Sequence, residues 1–241
     1  MRAALMNGTR AGTLPCAGLL SKGPSPLMLR PDVALSRRSA MSTPFTQPDF
    51  WNVRYASGCT PWDFGGVPSR LARHLQTQEL AGQRILIPGC GSGHEIAAFA
   101  RAGADVTAID FSPVAVAKAR ARLPVELASA VIEGDFFTHP FGPARFDFIY
   151  ERTFLCALDP KLWRPLTVRL AELLGAGGLV AGFYFYGDKE DGPPFGLEPA
   201  EAATLFDPHF HLVSDEPVPA AESLPLFADR ERWQVRRKRE G

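Results

Sequence analysis

Residues 84–110 constrain the fold of this 241-residue chain more than any other stretch. Residues 85–87 are apolar, as in a short parallel strand that is buried on both faces. Three glycines alternate with other residues over positions 89–93 and lead into an alanine-rich helix, which we expect from about residue 94 to residue 102. Residues 106–109 are a second apolar run. A strand, a glycine turn, a helix and a second strand in this order predict a parallel sheet covered by helices.

The glycine turn and an acid after the second strand together indicate a site for a nucleotide-like ligand. Gly89, Gly91 and Gly93 have no Cβ, so the backbone can turn tightly and a ligand can approach it closely. The helix after the turn directs the positive end of its dipole toward the same place. Asp110 ends the second strand about 20 residues after the glycines, where a carboxylate can accept both hydroxyls of a ribose.

The residues around this motif favour S-adenosylmethionine over a nicotinamide dinucleotide. A dinucleotide-binding turn has the pattern G-x-G-x-x-G, and this chain has His94 in place of the third glycine. Phe111, Ser112 and Pro113 follow the acid, with Ser112 placed to cap a helix and Pro113 at its first position. We expect that helix to continue to about Arg122. This order is similar to that of class I methyltransferases, whose cofactor lacks a pyrophosphate and needs no third glycine.

The rest of the apolar pattern predicts one large α/β domain. Further strands are expected at residues 130–133, 145–150, 179–186, 210–213 and 232–236, and further helices at residues 68–80 and 162–174. The result is a Rossmann-like, seven-stranded, mostly parallel sheet with helices on both faces. We expect residues 1–40 to be a disordered leader and residues 41–241 to be the methyltransferase domain. The leader is also compatible with a transit peptide, and Met41 with the true start of the protein.

Three large aromatic residues precede the first strand. Trp51 and Tyr55 are four residues apart in a short helix that we expect to begin near residue 47, and Trp62 lies in the following loop, residues 56–66. Such a group either caps the core or forms a lid over a cationic cofactor. The lid is physically reasonable, because aromatic faces attract a sulfonium through cation–π contacts worth about 1–2 kcal/mol when desolvated.

Residues after the third and fourth strands are further candidates for the site. Asp135 and Phe136 follow the third strand, where a carboxylate suits the amino group of an adenine and an aromatic ring suits its face. Glu151 and Arg152 leave the fourth strand beside the glycine turn, in the crevice where open parallel sheets bind ligands. We expect the loop at residues 188–195 to lie close to the same crevice.

Charge and cysteine content exclude several classes of partner. Lys plus Arg and Asp plus Glu both total 26, so no overall field favours nucleic acid. No apolar run approaches the roughly 20 residues that span a membrane. The four cysteines contain no C-x-x-C pair and suggest no disulfide framework, which fits a reducing compartment. We therefore expect a cytoplasmic protein that acts on a small molecule, without a nucleic-acid or membrane partner.

Six motifs resemble the thiopurine S-methyltransferase superfamily, which includes the plant halide/thiol methyltransferases. They are Phe50-Trp51-x-x-Arg54-Tyr55, Thr60-Pro61-Trp62-Asp63, Ile87-Pro88-Gly89-Cys90-Gly91, Glu133-Gly134-Asp135-Phe136-Phe137, Tyr150-Glu151-Arg152-Thr153-Phe154-Leu155-Cys156-Ala157 and Gly192-Pro193-Pro194-Phe195. The resemblance implies the class I fold, S-adenosylmethionine as cofactor, and a monomeric S-methyltransferase. Its acceptor would be a small thiol or a related soft nucleophile, such as sulfide, a thiopurine, a halide, or a selenium or tellurium species. A small-molecule O- or N-methyltransferase of the same fold and a non-catalytic S-adenosylmethionine-binding protein are the alternatives.

The same resemblance implies the site residues. Cofactor contacts are expected from Trp51, Tyr55, Trp62, Gly89, Gly91, Gly93, Asp110, Phe111, Asp135, Phe136 and Arg152. Catalytic roles are expected for Trp62, which would close over the site near the acceptor, and for Arg152 and Arg230, which match arginines that face the acceptor in thiopurine-type members. Arg152 follows the thiopurine-type pattern and Trp62 the plant type, so the motifs for acceptor specificity are mixed.

The implied reaction, an in-line displacement by a thiol, requires no dedicated base. A thiol with a pKa near 8.5 is only a few per cent thiolate at pH 7, which costs roughly 2 kcal/mol. Orientation of two bound reactants can supply about 7–11 kcal/mol, so proximity outweighs deprotonation. We expect Arg152, together with Arg230, to lower the acceptor's pKa. Glu151 is a possible base, although a structural role is the simpler interpretation.

Other signals favour structural roles. His209 and His211 share a strand face without a set of metal-ligating partners, so we expect no metal site. Cys90 is a small packing residue inside the glycine turn. The basic run at residues 232–239 is typical of a solvated edge.

Overall fold

A seven-stranded sheet forms the centre of the protein. The computed structural model describes residues 44–187, 192–227 and 229–240, so the expected leader, residues 1–40, lies outside the described residues. The strands are β1 (Arg84–Pro88), β2 (Asp105–Asp110), β3 (Val131–Glu133), β4 (Phe146–Arg152), β5 (Leu174–Phe185), β6 (Phe210–Pro217) and β7 (Glu231–Lys238). Their order is β3-β2-β1-β4-β5-β7-β6. β7 pairs antiparallel with both of its neighbours, and the other pairings are parallel.

Helices cover both faces of this sheet, which confirms the predicted fold. They are α1 (Pro48–Ser57), α2 (Ser69–Thr77), α3 (Ile96–Arg101), α4 (Pro113–Arg122), α5 (Trp163–Leu173) and α6 (Pro199–Phe206). One apolar core joins Leu71 of α2 and Phe99 of α3 to the sheet, and the other joins Trp163 of α5 and Phe206 of α6 to it. The chain leaves β3 at one edge and re-enters the sheet as β4 beside β1. Ligands bind at this kind of reversal in open α/β sheets.

Several predicted boundaries differ from those in the structure, among them those of α3, β4 and β5. α3 begins at Ile96 and not near residue 94, because the carbonyl of Glu95 accepts its first backbone hydrogen bonds, from the amides of Ala98 and Phe99. β4 continues through Arg152, so Glu151 and Arg152 belong to the strand. β5 begins at Leu174 and not at residue 179. Its glycine-rich first part, residues 175–178, is irregular, and the register with β4 shifts there.

The start of α4 agrees with the sequence prediction. Ser112 Oγ accepts a hydrogen bond from the amide of Ala115 at 3.1 Å, and Pro113 is the first helical residue. The same hydroxyl donates to Asn52 Oδ1 at 2.6 Å. Ser112 therefore both caps α4 and fixes α1 against it, which places the aromatic residues of α1 over the end of β2.

The cysteines depart from expectation at one position. Cys90 and Cys156 are buried thiols, whereas Cys59 is disulfide-bonded, so the suggestion that the chain contains no disulfide is wrong at Cys59. Within the described ranges, none of the helices has the length and apolarity needed to cross a bilayer.

Candidate active site

The largest cavity relevant to the predicted site lies at the carboxyl ends of β1, β2, β3 and β4. Its volume is about 210 Å³. Eight of the predicted site residues line it: Trp51, Tyr55, Trp62, Gly89, Asp110, Phe111, Asp135 and Phe136. Residues that were predicted from four separate stretches of sequence are therefore brought together around one space.

A smaller cavity adjoins the first. Tyr55, Trp62, Gly89 and Thr153 line both. The smaller cavity, of about 50 Å³, also contains Gly91 and Arg152, two further predicted residues, together with polar side chains from the glycine turn and the loop after α1. The main cavity is mostly apolar in its lining, whereas polar and apolar groups line the smaller one about equally, so the pair suits a ligand with one more polar end.

The glycine turn is shaped by close contacts as well as by its backbone angles. Gly89 and Gly91 have φ values of 56° and 52°, in the left-handed region that favours glycine. A Cβ on Gly89 would lie 2.3 Å from the ring of Phe154, and one on Gly91 would lie 2.7 Å from the hydroxyl of Tyr55. Only glycine fits at either position while these aromatic side chains remain where they are.

Asp110 holds the glycine turn against the end of β2. Its Oδ2 accepts a hydrogen bond from the amide of Gly91 at 2.9 Å, and its Oδ1 accepts one from the amide of Ser112 at 2.9 Å. Burial raises the pKa of Asp110 to about 6, although these amide hydrogen bonds act in the opposite direction. Each carboxylate oxygen can accept more than one hydrogen bond, so Asp110 can still receive hydroxyl donors from a ligand.

Asp135 and Phe136, the pair predicted to bind an adenine, both line the main cavity. Asp135 is exposed, and its Oδ1 accepts a hydrogen bond from the amide of Phe137 at 2.8 Å. Phe136 is buried, with its ring in edge contact with that of Phe154 at a centroid distance of 5.5 Å. The protein's own packing therefore orients both side chains at the wall of the main cavity.

The three predicted lid residues contact one another. The ring of Trp62 lies edge-on to Trp51 and Tyr55, at centroid distances of 5.3 and 5.9 Å. Trp62 Nε1 donates to the hydroxyl of Tyr55 at 3.4 Å, and Trp51 Nε1 donates to the carbonyl of Phe45 at 2.7 Å. Burial is the main reason that the pKa of Tyr55 is raised well above its usual value, so this hydroxyl stays protonated.

Arg152 is the most unusual side chain of the site. It is 8% exposed, and its guanidinium makes no hydrogen bond to any described residue. Its nearest acid is Glu231, whose Oε1 lies 3.7 Å from Nη1, and the group sits 4.2 Å from the ring centroid of Phe183 and 5.3 Å from that of Phe64. A buried cation with unused donors is costly unless an acceptor is supplied, which makes it a candidate for binding an anion.

Glu151 has a structural role in this arrangement. Its Oε1 accepts hydrogen bonds from the amides of Phe154 and Leu155 at 2.8 and 2.9 Å, so it caps the turn after β4. Burial raises its pKa to about 7 despite these two bonds. Glu151 is absent from the described residues that line the two cavities. The structural interpretation of this residue is therefore favoured over that of a catalytic base.

Two predicted site residues lie elsewhere. Gly93 does not line either cavity, and a Cβ there would meet Ala119 of α4 at 2.8 Å, so it allows close packing of that helix. Arg230 is exposed, lies 5.0 Å from the ring centroid of Phe185, and is likewise not one of the described cavity-lining residues. Their predicted roles toward the cofactor and the acceptor therefore stay predictions, without support from the lining of the two cavities.

Sequence reasoning missed other residues of the site. Thr153 has a positive φ of 57°, unusual for a β-branched residue, and lines both cavities. Cys156 and Phe227 also line the main cavity. Thr153 and Cys156 lie in the motif after β4, which was a signal for the site, but no local pattern identified Phe227. The described residues contain no group of His, Cys, Asp and Glu side chains that could hold a metal ion.

Fold and site together define a class I, S-adenosylmethionine-dependent methyltransferase. The solved structure of Burkholderia thailandensis 1,6-didemethyltoxoflavin-N1-methyltransferase is similar in fold, with a TM-score of 0.60 and 22% identity over 90% of this chain and 94% of that one. The glycopeptide N-methyltransferase MtfA has a TM-score of 0.56 and 17% identity, over 74% and 90% of the two chains. At these identities the similarity establishes the fold alone.

Within this class, the chain belongs to the thiopurine S-methyltransferase family, whose model matches residues 46–239. It is 33% identical over 66% of its length to a probable thiol methyltransferase 2 of Arabidopsis thaliana, covering 71% of that protein. It is 30% identical to thiocyanate methyltransferase 1 of the same plant, over 76% of this chain and 83% of the relative. A thiopurine S-methyltransferase of Pseudomonas paraeruginosa is 31% identical, over 64% and 79% of the two chains.

Proposed function

We propose that this methyltransferase transfers its methyl group to the sulfur of a small thiol-type acceptor, or to a related soft nucleophile. The relatives named for thiol, thiocyanate and thiopurine methylation support this proposal, because all three names describe sulfur acceptors. The single structural observation that carries it is the buried guanidinium of Arg152 at the smaller cavity, which lies 3.7 Å from Glu231 but makes no hydrogen bond to any described residue, since thiolates and thiocyanate are anions.

The residues present fit S-adenosylmethionine. When bound, this cofactor supplies a methyl group on a positively charged sulfur. Asp110 would accept the ribose hydroxyls, Asp135 the adenine amino group, and Phe136 would pack against the adenine ring. The aromatic group of Trp51, Tyr55 and Trp62, in which Trp62 packs edge-to-face against the other two, would exclude water and favour a cation. The absence of a Cβ at Gly89 and Gly91 lets the aromatic side chains of Phe154 and Tyr55 lie directly against the backbone of the glycine turn.

The acceptor side of the main cavity suits an apolar molecule with a soft nucleophilic atom. Leu226, Phe227, Pro193 and Pro194 line it, beside the thiol of Cys156. We infer that Arg152 favours the anionic form of the acceptor, while the aromatic lid holds both reactants in a water-poor space. A dedicated base is unnecessary, because orientation can contribute about 7–11 kcal/mol against the roughly 2 kcal/mol that deprotonation costs.

Replacement of Arg152 by Met tests the role of the guanidinium. We expect catalytic efficiency with an aryl thiol to fall about 10- to 100-fold, and its pH optimum to rise toward the pKa of the unbound thiol. Calorimetry with S-adenosylhomocysteine shows whether the lower efficiency comes from the acceptor or from the cofactor. Unchanged affinity assigns Arg152 to the acceptor, whereas a parallel loss of affinity assigns it to the carboxylate of the cofactor.

Replacement of Arg230 by Met, the second arginine predicted to face the acceptor, is the control for the Arg152 variant. Because Arg230 is exposed and is not one of the described residues that line the cavities, we expect a change of less than about threefold. The proposal for Arg152 is wrong if both its pH optimum and its efficiency match those of the unmodified protein.

We also propose that the protein works as a monomer on a small-molecule substrate. The monomer is what the resemblance to its family implies, and the balanced charge of the sequence supports a small-molecule substrate over nucleic acid. Light scattering of the purified protein tests the oligomeric state. Cell fractionation tests the expected cytoplasmic location, against which the disulfide at Cys59 counts.

A further inference from the structure

Asp63, the neighbour of the lid residue Trp62, joins the lid loop to the glycine turn. Its Oδ2 accepts a hydrogen bond from Ser92 Oγ at 2.7 Å, and its Oδ1 lies 2.9 Å from His94 Nε2. The amide of Gly65 also donates to Oδ1, at 2.8 Å. One carboxylate therefore receives donors from its own loop and from two residues of the glycine turn.

This contact is shielded from solvent. The side chains of Asp63 and His94 are 17% and 12% exposed, so water and salt screen their interaction less than they screen a surface pair. Burial alone would raise the pKa of Asp63, but the hydrogen bonds from His94, Ser92 and Gly65 outweigh it and hold that pKa below its usual range. The carboxylate is thus ionised at neutral pH and accepts charge-assisted hydrogen bonds.

The contact acts on the lid through the backbone. Asp63 and Trp62 are adjacent, and both belong to a turn in which the amide of Asp63 donates to the carbonyl of Thr60 at 2.9 Å. Trp62 itself has a long hydrogen bond of 3.4 Å to Tyr55 and edge contacts with its aromatic neighbours. The short hydrogen bonds that fix the loop to the turn below it are those of Asp63.

We propose that Asp63 is a positioning residue, which holds Trp62 over the cofactor site through Ser92 and His94 and thereby slows release of the cofactor. This inference rests on the placement of S-adenosylmethionine between the glycine turn and the aromatic lid. It also gives a physical role to His94, which stands where dinucleotide-binding turns have their third glycine. With the contact broken, the lid loop and the turn can separate and the cofactor can leave.

The test is the release rate of S-adenosylhomocysteine from the full chain, measured by stopped-flow tryptophan fluorescence. We expect Asp63→Asn and His94→Ala each to release it about 10-fold faster, because each removes a charge-assisted hydrogen bond. His94→Gln keeps a donor and should restore much of the slow release. Asp105→Asn is the control, since that aspartate is exposed and lies at the opposite, amino end of β2.

A double variant distinguishes positioning from general loosening of the fold. Two independent 10-fold effects would multiply to about 100-fold. If Asp63 and His94 act through their mutual contact, the increase in release rate for the double variant should be much smaller than that. A melting temperature that falls while the release rate stays unchanged in both single variants would overturn the proposal. Should Asp63→Asn fail to fold, Ser92→Ala removes one donor to the same carboxylate and is expected to give about threefold faster release. An unchanged release rate in folded Ser92→Ala would contradict the proposal equally.

Discussion

The glycine turn depends on contacts that are specific to individual side chains. Gly91 is required for two separable reasons, its positive φ of 52° and the approach of the Tyr55 hydroxyl to within 2.7 Å of where a Cβ would be. The first is a property of the backbone, and the second depends on one oxygen atom of a neighbour. The next atom of Tyr55 would lie at 3.6 Å, an ordinary contact.

This separation leads to a prediction for a pair of variants. Gly91→Ala should destabilise the protein by more than the roughly 1–2 kcal/mol expected of a left-handed alanine, because the hydroxyl of Tyr55 must also move. Adding Tyr55→Phe removes that hydroxyl and should restore part of the lost stability. The remaining loss is then the cost of the left-handed backbone conformation at alanine. Chemical denaturation of the two single variants and the double variant measures this. Strict additivity of the two effects would show that the contact with Tyr55 does not matter.

Asp110 provides a prediction about pH. Its pKa is raised to about 6 by burial, and the ionised form is the better acceptor for ribose hydroxyls. Affinity for S-adenosylhomocysteine should therefore be constant above about pH 7 and fall by up to tenfold per pH unit below about pH 6. Calorimetry between pH 5 and pH 8 measures this, with Asp110→Asn expected to bind weakly and with little dependence on pH. A wild-type affinity that stays constant down to pH 5 contradicts the proposed role of Asp110.

The raised pKa of Asp110 also makes the stability of the cofactor-free protein depend on pH. The folded-state pKa of Asp110 is above its unfolded value of about 3.9, so the proton is held more tightly in the folded protein. The contribution of Asp110 to the free energy of unfolding is therefore largest below about pH 4. It declines as pH rises through about 6.

At the scale of elements, the carboxyl end of β4 carries two adjacent residues with different functions. Arg152 contributes to the smaller cavity, while Glu151 accepts two amide hydrogen bonds and fixes the turn that follows. Successive side chains of a strand point to opposite faces of the sheet, which explains why neighbours in sequence have separate roles. The motif in the sequence contained both residues, and only the strand geometry separates them.

Glu151→Gln tests this division. A glutamine carbonyl can accept the same two amide hydrogen bonds, so we expect methyl transfer within about threefold of the unmodified rate. The pKa of Glu151 is raised to about 7, above its unfolded value of about 4.3, so its stabilising contribution is lost as pH rises through 7. The variant should therefore lose less stability between pH 6 and pH 8 than the unmodified protein does, as measured by thermal melting. A decrease in methyl transfer of 100-fold or more would instead identify Glu151 as a base.

For the whole molecule, the fold class and the meeting of the predicted residues at one edge of the sheet could be predicted from the sequence. Buried parallel strands appear in the sequence as short apolar runs, and their carboxyl ends meet at one edge of the sheet. Asp110, Asp135 and Arg152 each end or follow such a run, and the structure places all three at the cavities. These residues were accessible to sequence reasoning because the topology alone determines where they lie.

Contacts that depend on side-chain direction could not be predicted in this way. Gly93 has the same spacing as the other two glycines, yet the approach of Ala119 from α4 decides its role. Arg230 follows Asp229, whose φ of 63° turns the chain just before β7, and nothing local in the sequence indicates that conformation. The contact between Asp63 and His94 joins two separate motifs, and neither motif alone predicts the other as its partner.

The central claim is that this protein methylates sulfur with S-adenosylmethionine. The most direct test incubates the purified full chain with methyl-labelled cofactor and an equimolar mixture of an aryl thiol, the matching phenol and the matching aniline. Mass spectrometry then identifies the labelled product. The claim predicts that the label appears in the methyl thioether, with little in the methyl ether or the N-methyl amine. Labelling of only the oxygen or nitrogen acceptor would contradict it, as would the absence of any transfer while calorimetry shows that the cofactor binds.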